Sequence, residues 1–466
     1  LGALGEVALI VAFAAAKFYA LRDRHPVHSG DRTWWDLIGR LSFTDANFWL
    51  NERPFTVPLL HKLAGFSEPR VIVLQAVLDF VAWATLAHVL SLLIRSLPAR
   101  LLACAAVLGL GLTSGVQGWN LVMRSESAST SLLVLTLAAT LASIHAGSRR
   151  SAGLGEQSRA ERRARRSALA WAALAVASGL FAAFARDNNA YALVLVAFFA
   201  PLGALLVSGR KLRTARRELG PVVALSLGLL VVAGASRANA KAAERYKWPL
   251  MNVVFWRVLP SRAQTAYFER ELGMPVSPAL LGRRHHFVSA GNFYVARAPE
   301  LESFRAWVTT RGYAAYQRYL LTHPVSTTRA AWRNFVAVAG DIEDRHTHGA
   351  INRISLFFDG ILVDPLGDAP GLSVVLLAVL GSLGLFAPRA EFRLLSAFGL
   401  LCLGLALTQA YVCYHADAME VSRHSLNVGL CLRLSGVTAL GGLASFAQVL
   451  LAAAFRRSLS DEAVIS

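Results

Sequence analysis

Charged side chains are scarce in this chain of 466 residues: they make up 16% of it, against about a quarter of a soluble domain. With 55% hydrophobic residues, that scarcity excludes an ordinary soluble protein and points to a membrane protein. Acids are scarcer than bases, 29 against 47, which leaves a formal net charge of +18. Such an excess would suit nucleic acid. The arginines, however, cluster in short loops between apolar spans, as the positive-inside rule requires, so no nucleic-acid partner is expected. Only four cysteines occur, Cys104, Cys402, Cys413 and Cys431, without C-x-x-C spacing. No zinc site or disulfide framework is implied. The first apolar run, roughly 4–21, lacks a basic leader and reads as a retained anchor. Neither an internal repeat nor an inverted pair of interrupted helices stands out, which weakens a transporter reading.

Long apolar runs are what the chain does have. At about 20 residues per span, it reads as an all-α polytopic membrane protein with about ten transmembrane helices. They lie near 3–20, 71–94, 100–114, 126–146, 167–185, 189–208, 219–236, 369–387, 393–413 and 425–454. Arg149, Arg150, Arg159, Arg162, Arg163, Arg165 and Arg166 fill one connection, and Arg210, Lys211, Arg213, Arg216 and Arg217 another. With the N-terminus inside, both are cytoplasmic, as are Arg95 with Arg100, Arg389 with Arg393, and Arg456 with Arg457. Loops 21–70, 115–125, 186–188, 237–368 and 414–424 are then extracytoplasmic. Three parts follow: an N-terminal transmembrane module (1–236) with a long first loop (21–70), a loop domain (237–368), and C-terminal transmembrane helices (369–466). Between Pro299 and Phe335 the loop domain reads mainly helical, with apolar and aromatic residues three and four apart.

The first loop mixes acids, bases and aromatic residues, a composition suited to the membrane–water boundary. Asp31 precedes RTWWDLIGRL, a short amphipathic helix that it can cap. A carboxylate at the outer surface can also serve as a general base, and the two roles are compatible. Glu52-Arg53-Pro54 follows, with Pro58 beyond. The prolines restrain Arg53, whose guanidinium fork suits a phosphate; the plain alternative is an arginine snorkelling at the lipid boundary.

Arg124-Ser125-Glu126 opens the fourth span, where the helix dipole favours an acid and a membrane enzyme would also place a second carboxylate. Arg186-Asp187-Asn188-Asn189 joins the fifth and sixth spans, with a composition usual in turns. Arg423-His424 precedes the last span, facing outward, where an anionic lipid phosphate would account for the arginine. Asp341, Glu343, Asp344, His346 and His348 lack fixed metal-ligand spacing, and His285-His286 reads as a solvated loop.

An aspartate soon after the first helix, an aromatic amphipathic stretch and an E-R-P-x-x-x-P-L-L segment together resemble the GT-C superfamily of integral-membrane glycosyltransferases. The likeness is to the polyprenyl-phosphate-dependent branch that includes protein O-mannosyltransferases and lipid A aminoarabinose transferases. Ser125-Glu126, the R-D-N-N turn and the R-H-S-L-N segment at 423–427 add to it. The resemblance implies a donor of polyprenyl-phosphate-linked sugar, an extracytoplasmic acceptor hydroxyl on a glycan, lipid or protein, and a bacterial plasma membrane. It makes Asp31 the base, gives Arg53 the donor phosphate with Glu52 beside it, and places Glu126 near the same site. Arg423 and His424 are further phosphate candidates, and Asp187, Trp34 and Trp35 substrate candidates, the tryptophans packing on lipid or sugar. Some relatives carry a paired-acid motif that binds a divalent ion. Here one acid stands between Arg124 and Ser127, so a metal is left open and no other cofactor is implied.

The rival reading is a transporter or lipid flippase. Such proteins carry ionisable residues along a path within their spans. Here those residues are few (Glu6, Asp79, His88, Arg433), while the outer loops are rich in them.

Overall fold

A computed structural model describes residues 2–22, 24–27, 32–148, 157–208, 212–288, 297–340, 352–387, 389–418, 421 and 426–443. The chain is all-helical and polytopic. In order come α1 (Gly2–Leu21), α2 (Arg32–Arg40), α3 (Ala46–Trp49), α4 (Thr56–Leu63), α5 (Glu68–Leu92), α6 (Leu97–Leu110), α7 (Ser114–Leu121), α8 (Ser125–Ser148), α9 (Gln157–Ala183), α10 (Asn189–Ser208) and α11 (Leu212–Ala242). Among the described residues, eight helices are long and apolar enough to cross a membrane, or nine if α6 and α7 count as one bent span. The chain is therefore an integral membrane protein. The helix Pro370–Leu385 is apolar but shorter, so the expected count of about ten is reached only by adding it.

The third predicted span needs correction. It ends at Leu110, and the stretch expected to be a loop forms α7, bent 44° from α6. SGVQGWNL is too short and polar to read as a span. Irregular backbone at such depth is tolerated when protein satisfies its polar groups. Here the amide of Ser114 donates to Asp359 Oδ1 at 3.1 Å, from the helix Arg353–Leu362. That helix packs Phe358 and Leu362 onto Gly109, where a Cβ would meet both within 3 Å.

The segment α8 is buried along its length, and its sequence shows why. Its small residues, SESAST and onward, let neighbouring backbones approach closely. Ser143 Oγ donates to the Ala168 carbonyl at 2.9 Å, and the Thr136 and Ser178 hydroxyls meet at 3.0 Å, which ties α8 to α9. In contrast α1 leaves Leu4, Val7, Val11 and Tyr19 exposed, as a lipid-facing helix does.

Connections expected on opposite sides of the membrane collect at opposite ends of the bundle. At one end Arg95 pairs with Glu391 at 2.6 Å and Arg393 Nε donates to the Leu206 carbonyl at 2.9 Å. At the other end lie the first loop, the α7–α8 and α9–α10 connections and the segment after α11. That segment folds around a core of its own, which includes Phe255, Phe268, Phe304 and Trp307. Helices cover the predicted helical stretch as Pro299–Leu301, Glu302–Trp307, Val308–Gly312, Tyr313–Thr322 and Pro324–Gly340. Tyr316 joins this core to the bundle at 2.9 Å from His415 Nδ1. Since His415 Nε2 faces the Thr327 carbonyl at 3.2 Å, which can only accept, Nε2 carries the hydrogen and Nδ1 accepts from Tyr316. Burial holds the Tyr316 hydroxyl well above the usual tyrosine range, so it remains a donor.

Candidate functional site

The first loop holds three short helices, of which α2 and α4 are clamped together. On α2, Trp35 and Ile38 turn inward and Trp34 and Leu37 outward, the amphipathic pattern that its sequence predicts. Asp36 Oδ1 meets His61 Nδ1 of α4 at 2.8 Å. Lys62 Nζ donates to the Gly39 and Leu41 carbonyls at 3.0 and 2.6 Å, covering the C-terminal end of α2. Arg53 lies over the Trp35 ring, 5.4 Å from its centre, a cation–π contact. Trp35 thus serves Arg53 directly, whereas Trp34 is free to meet lipid or ligand. Glu52 is exposed.

Four attachments among the described residues fix this loop to the rest of the chain, one of them Asn239 Nδ2 of α11 donating to the Trp49 carbonyl at 3.0 Å. The amide of Val27 donates to the Leu121 carbonyl at 2.9 Å and accepts at its own carbonyl from Met123 at 3.2 Å, a parallel bridge onto Val122. Thr56 donates through its amide to Phe184 at 3.1 Å and through its hydroxyl to Phe181 at 2.9 Å, both carbonyls of the α9 end. Arg245 Nη1 donates to the Asn51 carbonyl at 3.0 Å.

Polar side chains converge where the loop docks. Glu126, in the first turn of α8, is fully buried, with Oε1 3.6 Å from Arg186 Nη2. Asp187, the next residue, takes both arms of Arg245, at 2.8 and 2.9 Å, and Arg245 reaches Asn51, two residues before Arg53. Asn189 Nδ2 donates to Ser129 Oγ at 2.8 Å, and its Oδ1 accepts from Asn427 at 3.4 Å. Asn427 in turn accepts from Thr130 Oγ1 at 2.8 Å. The starts of α8, α10 and the helix Leu426–Leu443 therefore meet at one place. Buried carboxylate and guanidinium groups held together there can orient a hydroxyl and neutralise an anion.

Of the residues singled out from sequence, Glu126, Asp187 and the Arg53 segment are brought together through Arg186, Arg245 and Asn51. Asp31, Arg423 and His424 lie outside the described residues, as do Asp341, Glu343, Asp344, His346 and His348. Sequence reasoning missed Arg245, which sits in an unremarkable KAAERYK run with nothing local to mark it. It also undervalued Arg186 and Asn189, although the R-D-N-N turn was the visible signal. Among the described residues no group of three His, Cys, Asp or Glu side chains is arranged to hold a metal ion; Glu126 faces a guanidinium instead.

Replacing Arg245 by Met is expected to loosen the segment around Asn51, between the ends that Asn239 holds at Trp49 and α9 holds at Thr56. The lost charge-assisted hydrogen bonds contribute about 1–2 kcal/mol once screening at the partly exposed Asp187 is allowed for. Hydrogen exchange at the amides around Asn51 should quicken accordingly; unchanged protection would show that the loop is held elsewhere.

The arrangement defines a polytopic, all-helical membrane protein with a polar cluster at one end of its bundle. No family model and no curated protein matches the chain. Among solved structures it is similar to an archaeal oligosaccharyltransferase, AglB from Archaeoglobus fulgidus, in complex with an inhibitory peptide and a dolichol-phosphate. The identity is 11% and the TM-score 0.45, over 97% of this chain and 52% of that one. This chain thus spans about half the length of that protein (52%).

Proposed function

We propose that the chain is a membrane glycosyltransferase that moves a sugar from a polyprenyl-phosphate donor to an acceptor hydroxyl at the first-loop end of the bundle. Positive-inside charge puts that end outside the cytoplasm. The observation that supports this reading is the buried Glu126–Arg186 pair at the point where the first loop docks on α7 and α9.

In this reading the donor's chain stays in the bilayer while its phosphate and sugar enter the polar cluster. Asp31 takes the proton of the acceptor hydroxyl, and the freed oxygen attacks the anomeric carbon. The bond from that carbon to the phosphate oxygen breaks, and polyprenyl phosphate leaves with the electron pair. Arg53, supported by Trp35, stabilises that anion together with Arg423 and His424. Glu126, held by Arg186, orients the sugar and balances the positive charge that grows on its ring. Glu52, Asp187 and Trp34 line the approach. Single displacement inverts the anomeric centre.

A transporter or flippase is the second reading, and one observation favours it: Lys17 and Asp79 are an ion pair inside the spans. That pair is saturated by fixed partners, which is unlike a path along which charge moves. Reconstitution in liposomes with donor labelled in the sugar separates the two. Transfer predicts label leaving the polyprenyl phosphate for an envelope acceptor fraction. Intact donor moved to the opposite leaflet, with its sugar still attached, would overturn the transferase reading.

A further inference from the structure

Lys17 on α1 and Asp79 on α5 pair with side chains 0% and 2% exposed, within segments that span the membrane. The sequence reading had missed Lys17 among the charges within spans. Ionisable groups at this depth are costly and call for a role. The Asp79 carboxylate does more than neutralise Lys17. Its Oδ1 accepts from Trp83 Nε1 at 2.8 Å and from Ser131 Oγ at 3.0 Å. Its Oδ2 accepts from Lys17 and from Asn120 Nδ2 at 3.2 Å. Asn120, near the end of α7, passes the connection on, because its Oδ1 accepts from Ser127 Oγ at 2.7 Å. Ser127 directly follows Glu126. One carboxylate therefore ties α1, α5, α7 and α8 together. The short connection between α7 and α8, which carries Val122 and the first loop paired onto it, runs between two tied points.

We propose that Lys17 and Asp79 are positioning residues: through Asn120 and Ser127 they set where α8 begins, and so where Glu126 stands relative to the first loop. The proposal rests on the transferase reading for its consequence in turnover, though not for its consequence in geometry. Hydrogen bonds to an ionised acceptor are short and directional, and a low-dielectric interior strengthens them. With Asp79 replaced by an apolar residue, Lys17 loses its counter-ion, and Asn120 loses the acceptor that orients its other end toward Ser127. A pair that merely held helices together could be exchanged for apolar residues without harm, as buried ion pairs often can. A pair that aims a site cannot.

Ser127→Ala and Asn120→Leu cut the link and leave the ion pair in place, whereas Lys17→Met/Asp79→Leu removes both charges together. All three are expected to lower kcat for transfer by about ten- to a hundredfold, as small misplacements at a reacting centre do, with the donor KM nearly unchanged; the melting temperature should hold in Ser127→Ala and fall in the double variant, which strips Trp83 Nε1 and Asn120 Nδ2 of the carboxylate they share. A second readout does not depend on catalysis. A cysteine placed at Ser125 is alkylated by a maleimide, against a slow background from four buried native cysteines. Its rate is expected to rise in Asn120→Leu and in the double variant. A folded double variant with the wild-type kcat and alkylation rate would overturn the proposal, and so would a loss of kcat without any change in alkylation. If the double variant does not fold, Ser127→Ala and Asn120→Leu decide alone. If alkylation shifts while the wild-type protein transfers no sugar from lipid-linked donor, the positioning role stands and the transferase reading falls.

Discussion

Asp31→Asn is expected to lower the turnover number for sugar transfer by about a hundred- to ten-thousandfold, the range that a positioned general base contributes, while donor binding is kept. The substitution is informative because Asp31 precedes α2 and has two candidate duties. Asparagine caps a helix as well as aspartate does, so the substitution keeps the candidate cap and removes only the candidate base. What asparagine cannot do is take a proton from a hydroxyl. On the proposed reading Arg53 keeps its place at the donor phosphate in this variant, so the donor KM should hold and kcat carry the loss. Asp31→Ala removes both candidate duties, and a helix cap at such a position is worth about 1 kcal/mol of stability. Steady-state transfer and melting curves on both variants check this. Normal turnover by a folded Asp31→Asn protein would remove Asp31 from the mechanism.

Local chemistry decides which features of this molecule can be read from its sequence. Spans such as α5 and α10 are legible because lipid demands an uninterrupted apolar run, and the grouping of connections at two ends follows from where the arginines sit. The amphipathic α2 is legible too, since a half-exposed helix repeats its apolar residues every three or four positions. The bend between α6 and α7 is not, because what stabilises it is Asp359, 245 residues beyond Ser114. Glu126 and Asp187 stand out as acids at helix ends, but their partners are fixed by packing. Arg245 reaches Asp187 across 58 residues, and Lys17 reaches Asp79 across 62. A lysine in the last turns of an apolar anchor reads as a snorkelling side chain until the acid opposite it is known. Pairings of this kind belong to the tertiary structure alone.

The second large effect is expected at Glu126, and there stability and function should separate. Glu126→Ala leaves the Arg186 guanidinium, itself only 8% exposed, without the carboxylate it faces. Breaking a buried pair from one side destabilises by about 3–5 kcal/mol, which thermal inactivation in detergent would register as a clear fall in midpoint. Transfer should be lost with it, but that loss alone is ambiguous, since a loosened bundle also stops turning over. Glu126→Gln/Arg186→Gln resolves the ambiguity. The two glutamines carry no net charge to bury, so part of the lost stability should return, as it does when buried ion pairs are replaced as a unit. Transfer should not return, because neither amide offsets positive charge growing on the sugar ring or fixes the site's potential where the first loop docks. A stable double variant with wild-type turnover would reduce Glu126 to a structural acid at a helix start. A stable double variant at or below about a hundredth of wild-type turnover would place the Glu126–Arg186 pair in the chemistry.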